Sequence, residues 1–149
     1  MNHIADFFNN SVLVTALTGW FAAQVLKVIF VLIWSRRFDI KRMVGSGGMP
    51  SSHSAFVVSL ACSIGLVEGF SSTMFAMSVC FALVVMYDAA GVRRAAGQQA
   101  RILNRMIEQW EKGDFSFTDK RLKELLGHSP IEVIAGAILG FMIALIRHA

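Results

Sequence analysis

The chain has 149 residues, of which 55% are hydrophobic, and it carries a formal net charge of +4. Its mean hydropathy of +0.57 is too high for an ordinary soluble domain of this length, so the composition favours an integral membrane protein. The basic segments contain too few aromatic residues for a nucleic-acid-binding surface. We therefore expect a membrane, and no nucleic acid, among its partners.

Apolar stretches in chain order predict an all-α integral membrane protein with about four transmembrane helices, since a spanning helix needs about 20 apolar residues. The chain is expected to form one membrane domain over residues 1–149. We place the spans at roughly 11–34, 52–68, 70–92 and 130–147. The second is the shortest, and it reaches membrane length only if it begins in the polar turn before it.

Lys and Arg are concentrated in two segments, one after the first span and one between the third and fourth spans. Basic loops of membrane proteins stay on the cytoplasmic side. Both segments are therefore predicted to be cytoplasmic and both termini to lie outside. This topology brings the starts of the second and fourth helices, and the ends of the first and third, to the cytoplasmic face.

The longer basic segment, residues 93–127, is predicted to be a cytoplasmic amphipathic helical insertion. Ile102, Met106 and Trp110 recur at four-residue spacing, with charged residues between them. Such a pattern is typical of a helix that lies against a membrane surface or against a helical bundle.

Two polar turns, residues 47–54 and 127–132, each carry a histidine and open directly into an apolar helix. The start of a helix offers backbone N–H groups and a positive dipole end, which suit an anion. Histidine can act as a nucleophile or as a general acid near neutral pH. Together the two turns predict chemistry on a phosphate group at a membrane surface.

At these turns the chain resembles a known superfamily. Pro50-Ser51-Ser52-His53 resembles the Pro-Ser-Gly-His motif of the type 2 phosphatidic acid phosphatase and vanadium haloperoxidase superfamily. The run from His128 to Gly136 resembles its last motif, in which an Asp follows the histidine by four residues. With the run from Tyr87 to Arg94, the pattern is similar to the divergent bacterial branch of that superfamily, from about Gln24 to Gly140.

The resemblance implies a role for each matching residue. His128 would be the nucleophile that forms a phosphohistidine, Glu132 would orient it, and His53 would protonate the leaving alcohol. The substrate-binding residues would be Ser51, Ser52, Arg93, Lys27, Arg37 (or its neighbour Arg36) and Asp88, of which Asp88 is also a candidate for a structural ion pair. The superfamily's chemistry implies no metal and no cofactor.

The chain departs from the superfamily pattern at several positions. Ser52 stands where Gly is usual, and Glu132 stands where Asp is usual. Trp34 stands where the first motif would place an arginine. Arg93 lies far before His128, whereas the superfamily keeps the matching arginine within two helical turns of its histidine.

Structural alternatives remain open for some of these residues. Ser129 and Glu132 also form a capping-box pattern, and one carboxylate could contribute to both roles. Ser51 or Ser52 could cap the second span, and Lys27 could extend toward a membrane surface instead of facing a site. Gly136 and Gly140 could mediate a homodimer, or they could serve close packing inside the bundle. His3 and His148 lie near the termini and are not assigned a role.

The function that these residues predict is a membrane lipid phosphatase. It would hydrolyse a phosphomonoester or pyrophosphate of a phospholipid or isoprenoid lipid through a phosphohistidine intermediate, in the plasma (inner) membrane of a bacterium. A site on the cytoplasmic face favours phosphatidylglycerol phosphate or phosphatidic acid as the lipid phosphate partner. The alternatives are a phosphoryl or phosphatidyl transferase and a non-catalytic lipid-binding protein that retains the fold.

Overall fold

The computed structural model describes residues 3–35, 48–111 and 128–149. Within these ranges the regular structure is entirely helical, as the sequence predicts. The helices are α1 (His3–Asn9), α2 (Ser11–Ser35), α3 (Ser52–Glu68), α4 (Thr73–Ala90), α5 (Val92–Glu111) and α6 (Pro130–His148).

Three apolar helical stretches, which begin at Ser11, Thr73 and Pro130, are long enough to cross a membrane. They expose large apolar side chains such as Phe21, Val84 and Ile146, as expected of surfaces that face lipid. The fourth predicted span, α3, has 17 residues and a length of about 25 Å at about 1.5 Å per residue. Residues 3–35, 48–111 and 128–149 therefore contain three to four helices of spanning character.

Helix α3 is the centre of the bundle and packs against α2, α4 and α6. Its buried residues are mostly small, and they include Ser54, Ala55, Ser59 and Ser63. Small residues let helix backbones approach closely, which is the main source of helix packing inside a membrane. The modest apolar content of α3 is therefore explained by its position, since lipid covers little of it.

Glycines on the two neighbouring helices complete this packing. A Cβ atom at Gly136 would lie 2.2 Å from the Ser51 carbonyl oxygen, and one at Gly140 would lie 2.4 Å from the Ala55 carbonyl oxygen. On α2, a Cβ atom at Gly19 would lie 2.1 Å from Ser59 Oγ. The Gly136–Gly140 pair is thus used for packing on α3, and a homodimer through this face would have to displace that helix.

The four long helices of the bundle alternate in direction, so α3 and α6 begin where α2 and α4 end. We call this the histidine end of the bundle. Ser51 caps α3 by accepting from the Ser54 N–H, and Ser129 caps α6 by accepting from the Glu132 N–H. The sequence predicts that these four helix termini share one face, and the structure brings them together there.

The opposite end of the bundle is fastened by a polar contact that the sequence analysis did not anticipate. His148 Nε2 lies 2.5 Å from Ser63 Oγ and 3.3 Å from Thr15 Oγ1. Both hydroxyl-bearing residues are fully buried. His148 therefore joins the last turn of α6 to α2 and α3, at the end of the bundle opposite the histidine end.

Helix α5 follows α4 after a single residue, Gly91, whose N–H donates to the Tyr87 carbonyl over 2.8 Å. It occupies the first part of the predicted insertion, and Ile102 and Met106 are exposed along it. The rest of the insertion, from residue 112 to 127, lies outside the described residues.

Candidate functional site

Two backbone hydrogen bonds assemble the histidine end. The Ser51 N–H donates to the Glu132 carbonyl over 2.9 Å, which joins the turn before α3 to the first turn of α6. The His128 N–H donates to the Ala89 carbonyl over 3.1 Å, which joins the residues before α6 to the last turn of α4. These two bonds fix the positions of both histidine turns relative to three helices.

As a result, the two histidines lie in direct contact. The ring centroids of His53 and His128 are 5.8 Å apart, and the planes meet at 64° in an edge-to-face arrangement. His128 is only 2% exposed, although it lies outside regular helix. The sequence predicts that these residues share a membrane face, and the structure places them next to each other.

Glu132 makes both of the contacts that the sequence left as alternatives. Its Oε2 atom lies 3.0 Å from His128 Nδ1, and the same oxygen accepts from the Ser129 N–H over 3.1 Å. Ser129 Oγ in turn accepts from the Glu132 N–H over 3.4 Å, which completes the capping box. One carboxylate thus caps α6 and holds the histidine ring.

The contact with Glu132 determines which nitrogen of neutral His128 carries the proton. An ionised carboxylate only accepts hydrogen bonds, so the Nδ1 atom must carry the proton that joins the two groups. In neutral His128 the lone pair then lies on Nε2. This is the tautomer that nucleophilic attack through Nε2 requires.

Lys27 brings its ammonium group to the site from the second half of α2. Its side chain is 4% exposed, its Nζ atom donates to Ser52 Oγ over 3.3 Å, and it is attracted electrostatically to Glu132. A buried ammonium group needs such partners, because burial away from water without them is costly. Lys27 therefore faces the histidine end, and it does not extend toward a membrane surface.

Ser51 is fully buried and caps α3, which was one of its two predicted roles. Its Oγ atom accepts from the Ser54 N–H over 3.3 Å and from Ser54 Oγ over 3.0 Å. Sequence reasoning did not single out Ser54. Its position three residues after the capping serine was the available signal, since that backbone N–H is the one a cap binds.

Two further predicted residues lie near the junction of α4 and α5. Asp88 lies in the last turn of α4, directly before Ala89, and Arg93 lies in the first turn of α5. Arg36 and Arg37 lie outside the described residues. The structure thus brings together one set of predicted residues at the histidine end, namely His53, His128, Glu132, Ser51, Ser52 and Lys27.

In the described part of the chain, no group of three or more His, Cys, Asp or Glu side chains is placed to hold a metal ion. The polar atoms at the histidine end are instead imidazole nitrogens, serine hydroxyls, one carboxylate and one ammonium group. Two helix N-termini also point there, each with a partial positive charge. This set suits an anion that is attacked by a histidine.

Comparison with known proteins gives a family and one close relative. A family model described as the divergent PAP2 family matches residues 8–143. The chain is 40% identical over 151 aligned positions to the uncharacterized membrane protein YuiD of Bacillus subtilis (strain 168), covering 95% of this chain and 96% of the relative. No solved structure matches the chain. The relative and the apolar helices agree in identifying a membrane protein.

Proposed function

Because the chain belongs to the divergent PAP2 family, we propose that it is a membrane lipid phosphatase that uses His128 as its nucleophile. The observation that carries this proposal is the contact between His53 and His128, with Glu132 bound to Nδ1 of His128. Two adjacent histidines can divide attack and proton transfer between them, and a carboxylate fixes the orientation of the attacking ring.

The proposed reaction has two steps. The lone pair of His128 Nε2 attacks phosphorus, the bond from phosphorus to the ester oxygen breaks, and protonated His53 gives its proton to the departing alcohol. In the second step His53 takes a proton from water, which attacks the phosphohistidine and releases inorganic phosphate. Both histidines return to their starting protonation states, so the cycle consumes only water.

The groups around the histidines would stabilise the phosphoryl oxygens during both steps. Lys27 supplies N–H donors and, in its ammonium form, a positive charge, and the starts of α3 and α6 supply N–H groups and partial positive charge. Ser51 and Ser52 lie at the first of these helix starts. Arg93, Arg37 and Asp88 are proposed as further substrate contacts on the strength of the motif resemblance.

The depth of the site fits a lipid substrate. Lys27 lies eight residues before the end of α2 at Ser35, which corresponds to about 12 Å along the helix axis. The site therefore lies well short of the end of α2, at the level where α3 and α6 begin, and we propose that a phosphate reaches it at the boundary of the hydrocarbon layer. A lipid phosphate can occupy this depth while its chains stay in the bilayer.

The side of the membrane is inferred from charge. The basic residues of the two loops predict that the histidine end faces the cytoplasm of a bacterial cell. A lipid made on the inner leaflet, such as phosphatidylglycerol phosphate or phosphatidic acid, is then the preferred substrate, ahead of an isoprenoid pyrophosphate on the outer leaflet.

Phosphate release from a panel of lipid phosphates tests the function directly. The purified protein in detergent should release inorganic phosphate in the presence of EDTA, and one lipid should be clearly preferred. If the lipid were dephosphorylated faster when an alcohol or a headgroup acceptor is added, and the acceptor became phosphorylated in place of phosphate release, the protein would instead be a transferase. Binding without release from any lipid would contradict the proposal and favour the non-catalytic alternative.

Glu132 offers a test that separates capping from catalysis. Glu132→Gln keeps an oxygen for both N–H donors but removes the charge that stabilises a cationic His128, so we expect kcat to fall at least about 100-fold with little change in thermal stability. Ser129→Ala is the matched control. It removes the other half of the capping box, which should cost about 0.5–2 kcal/mol of stability, and it should keep most of the activity of the folded protein.

A further inference from the structure

An apolar groove of about 470 Å³ adjoins the histidine end. Its walls come from three helices, with Leu17 and Trp20 on α2, Phe56 on α3, and Phe81 and Val85 on α4. The polar member of the lining is His53. The volume falls within the range of about 300–1,000 Å³ that is usual for small-molecule sites.

The groove runs from the site toward the middle of the membrane. Trp20 and Leu17 lie seven and ten residues before Lys27 on α2, which places them about 10–15 Å farther from the histidine end. On α4, Val85 and Phe81 lie four and eight residues before Ala89, in the same direction. The half-thickness of a bilayer's hydrocarbon core is also about 15 Å.

We propose that this groove holds one hydrocarbon chain of the lipid whose phosphate lies at His53 and His128. The inference rests on the proposed function and identifies how that site recognises its substrate. The chain of a lipid in the adjacent leaflet points from its headgroup toward the bilayer midplane, which is the direction of the groove. Because His53 belongs to both the groove and the histidine pair, the two sites are continuous.

Aromatic side chains in the lining give the groove a surface that can bind a hydrocarbon chain. Trp20, Phe56 and Phe81 contribute flat rings on three different helices, and such rings bind an extended chain by close contact along its length. The substrate would reach the site sideways from the bilayer, with one chain in the groove and any second chain remaining among the surrounding lipids.

Val85 and its neighbour Val84 provide a matched pair for the test. Val85 lines the groove, whereas Val84 is 68% exposed on another side of the same helix. We would measure kcat and KM of Val85→Trp and Val84→Trp with the preferred phosphate lipid in dioleoyl and dibutyryl forms. Val85→Trp should raise KM for the dioleoyl form about tenfold or more, because losing the burial of only two methylene groups of the chain already weakens binding by that factor. The KM for the dibutyryl form should be unchanged, since its short chains do not reach the groove.

Val84→Trp should resemble the wild type with both forms. An unchanged KM in Val85→Trp, or an equal loss with long and short chains, would overturn the groove as a chain-binding site. The first result would mean that the chain lies elsewhere, and the second that the substitution acts on the fold or on the histidines.

A binding measurement keeps the inference separate from the proposed function. With Trp34 and Trp110 replaced by Phe, fluorescence comes from Trp20 alone among the three tryptophans. A brominated phosphonate analogue of phosphatidic acid, which cannot be hydrolysed, should quench Trp20 at a lower mole fraction than brominated phosphatidylcholine. Equal quenching by both lipids would overturn the inference, whereas selective quenching would support it even if the protein released no phosphate.

Discussion

Replacing His128 with alanine should abolish phosphate release from every lipid of the panel. His128 lies in contact with both His53 and Glu132, and in the proposed mechanism the phosphoryl group passes through Nε2 of this ring. Removal of a nucleophile typically lowers kcat by at least about 10³-fold, because the remaining groups only bind and polarise the substrate. The expected signal is a rate indistinguishable from that of a mock preparation.

His148→Ala is the control for this experiment. His148 is also held by hydroxyl groups inside the bundle, but its partner Ser63 lies ten residues beyond His53 on α3, or about 15 Å along the helix axis. Its loss should lower thermal stability and leave the rate of the folded protein intact. Equal activity in the wild type and in His128→Ala would contradict the histidine mechanism outright.

The covalent intermediate separates the roles of the two histidines. Brief incubation with a ³²P-labelled lipid phosphate, followed by a denaturing quench at alkaline pH, should leave label on the wild type and none on His128→Ala.

His53→Ala should be impaired most with alkyl phosphates, whose leaving alcohol needs a proton, and least with an aryl phosphate such as p-nitrophenyl phosphate. A His53→Ala defect that is equal for both leaving groups would point to a structural role for that ring.

Much of this arrangement could be predicted from residue patterns alone. Apolar runs near Ser11, Thr73 and Pro130 are long and nearly free of charge, so the spanning helices were evident from hydropathy. The asymmetric distribution of Lys and Arg predicted that both histidine turns share one end of the bundle. The Ser129–Glu132 pair has a capping-box spacing that is visible in sequence, and that capping box is present.

Other features depend on contacts between distant segments, and local patterns do not encode them. Lys27 could equally have reached a membrane surface, and only the positions of α3 and α6 show that Ser52 and Glu132 lie near its ammonium group. The dual role of Glu132 requires the ring of His128 to lie over the first turn of α6, which spacing alone does not determine. The groove needs residues from α2, α3 and α4 at one level, although each of its apolar residues resembles an ordinary lipid-facing position.

The second large effect is expected for a substitution of Gly136, which should lower both the stability of the bundle and the activity of the site. An added Cβ would lie 2.2 Å from the Ser51 carbonyl oxygen, and that oxygen accepts the Ala55 N–H in the first turn of α3. The backbone of α3 cannot give way as a flexible side chain could, so Gly136→Ala must separate α3 from α6. Overpacking of this kind costs about 1–3 kcal/mol, and it should also weaken the bond from the Ser51 N–H to the Glu132 carbonyl.

Gly140→Ala is the matched comparison, because its Cβ would lie 2.4 Å from the Ala55 carbonyl oxygen, about one helical turn farther from the histidines. Both variants should have a lower thermal unfolding midpoint in detergent. Only Gly136→Ala should also lose most of its kcat when activity is measured per folded molecule, since it moves the turn that carries His53. Ile138→Phe, on the exposed side of α6, should change neither quantity. If Gly136→Ala were as stable and as active as the wild type, the close approach of α3 and α6 at the histidine end would be wrong, and with it the geometry on which the proposed chemistry depends.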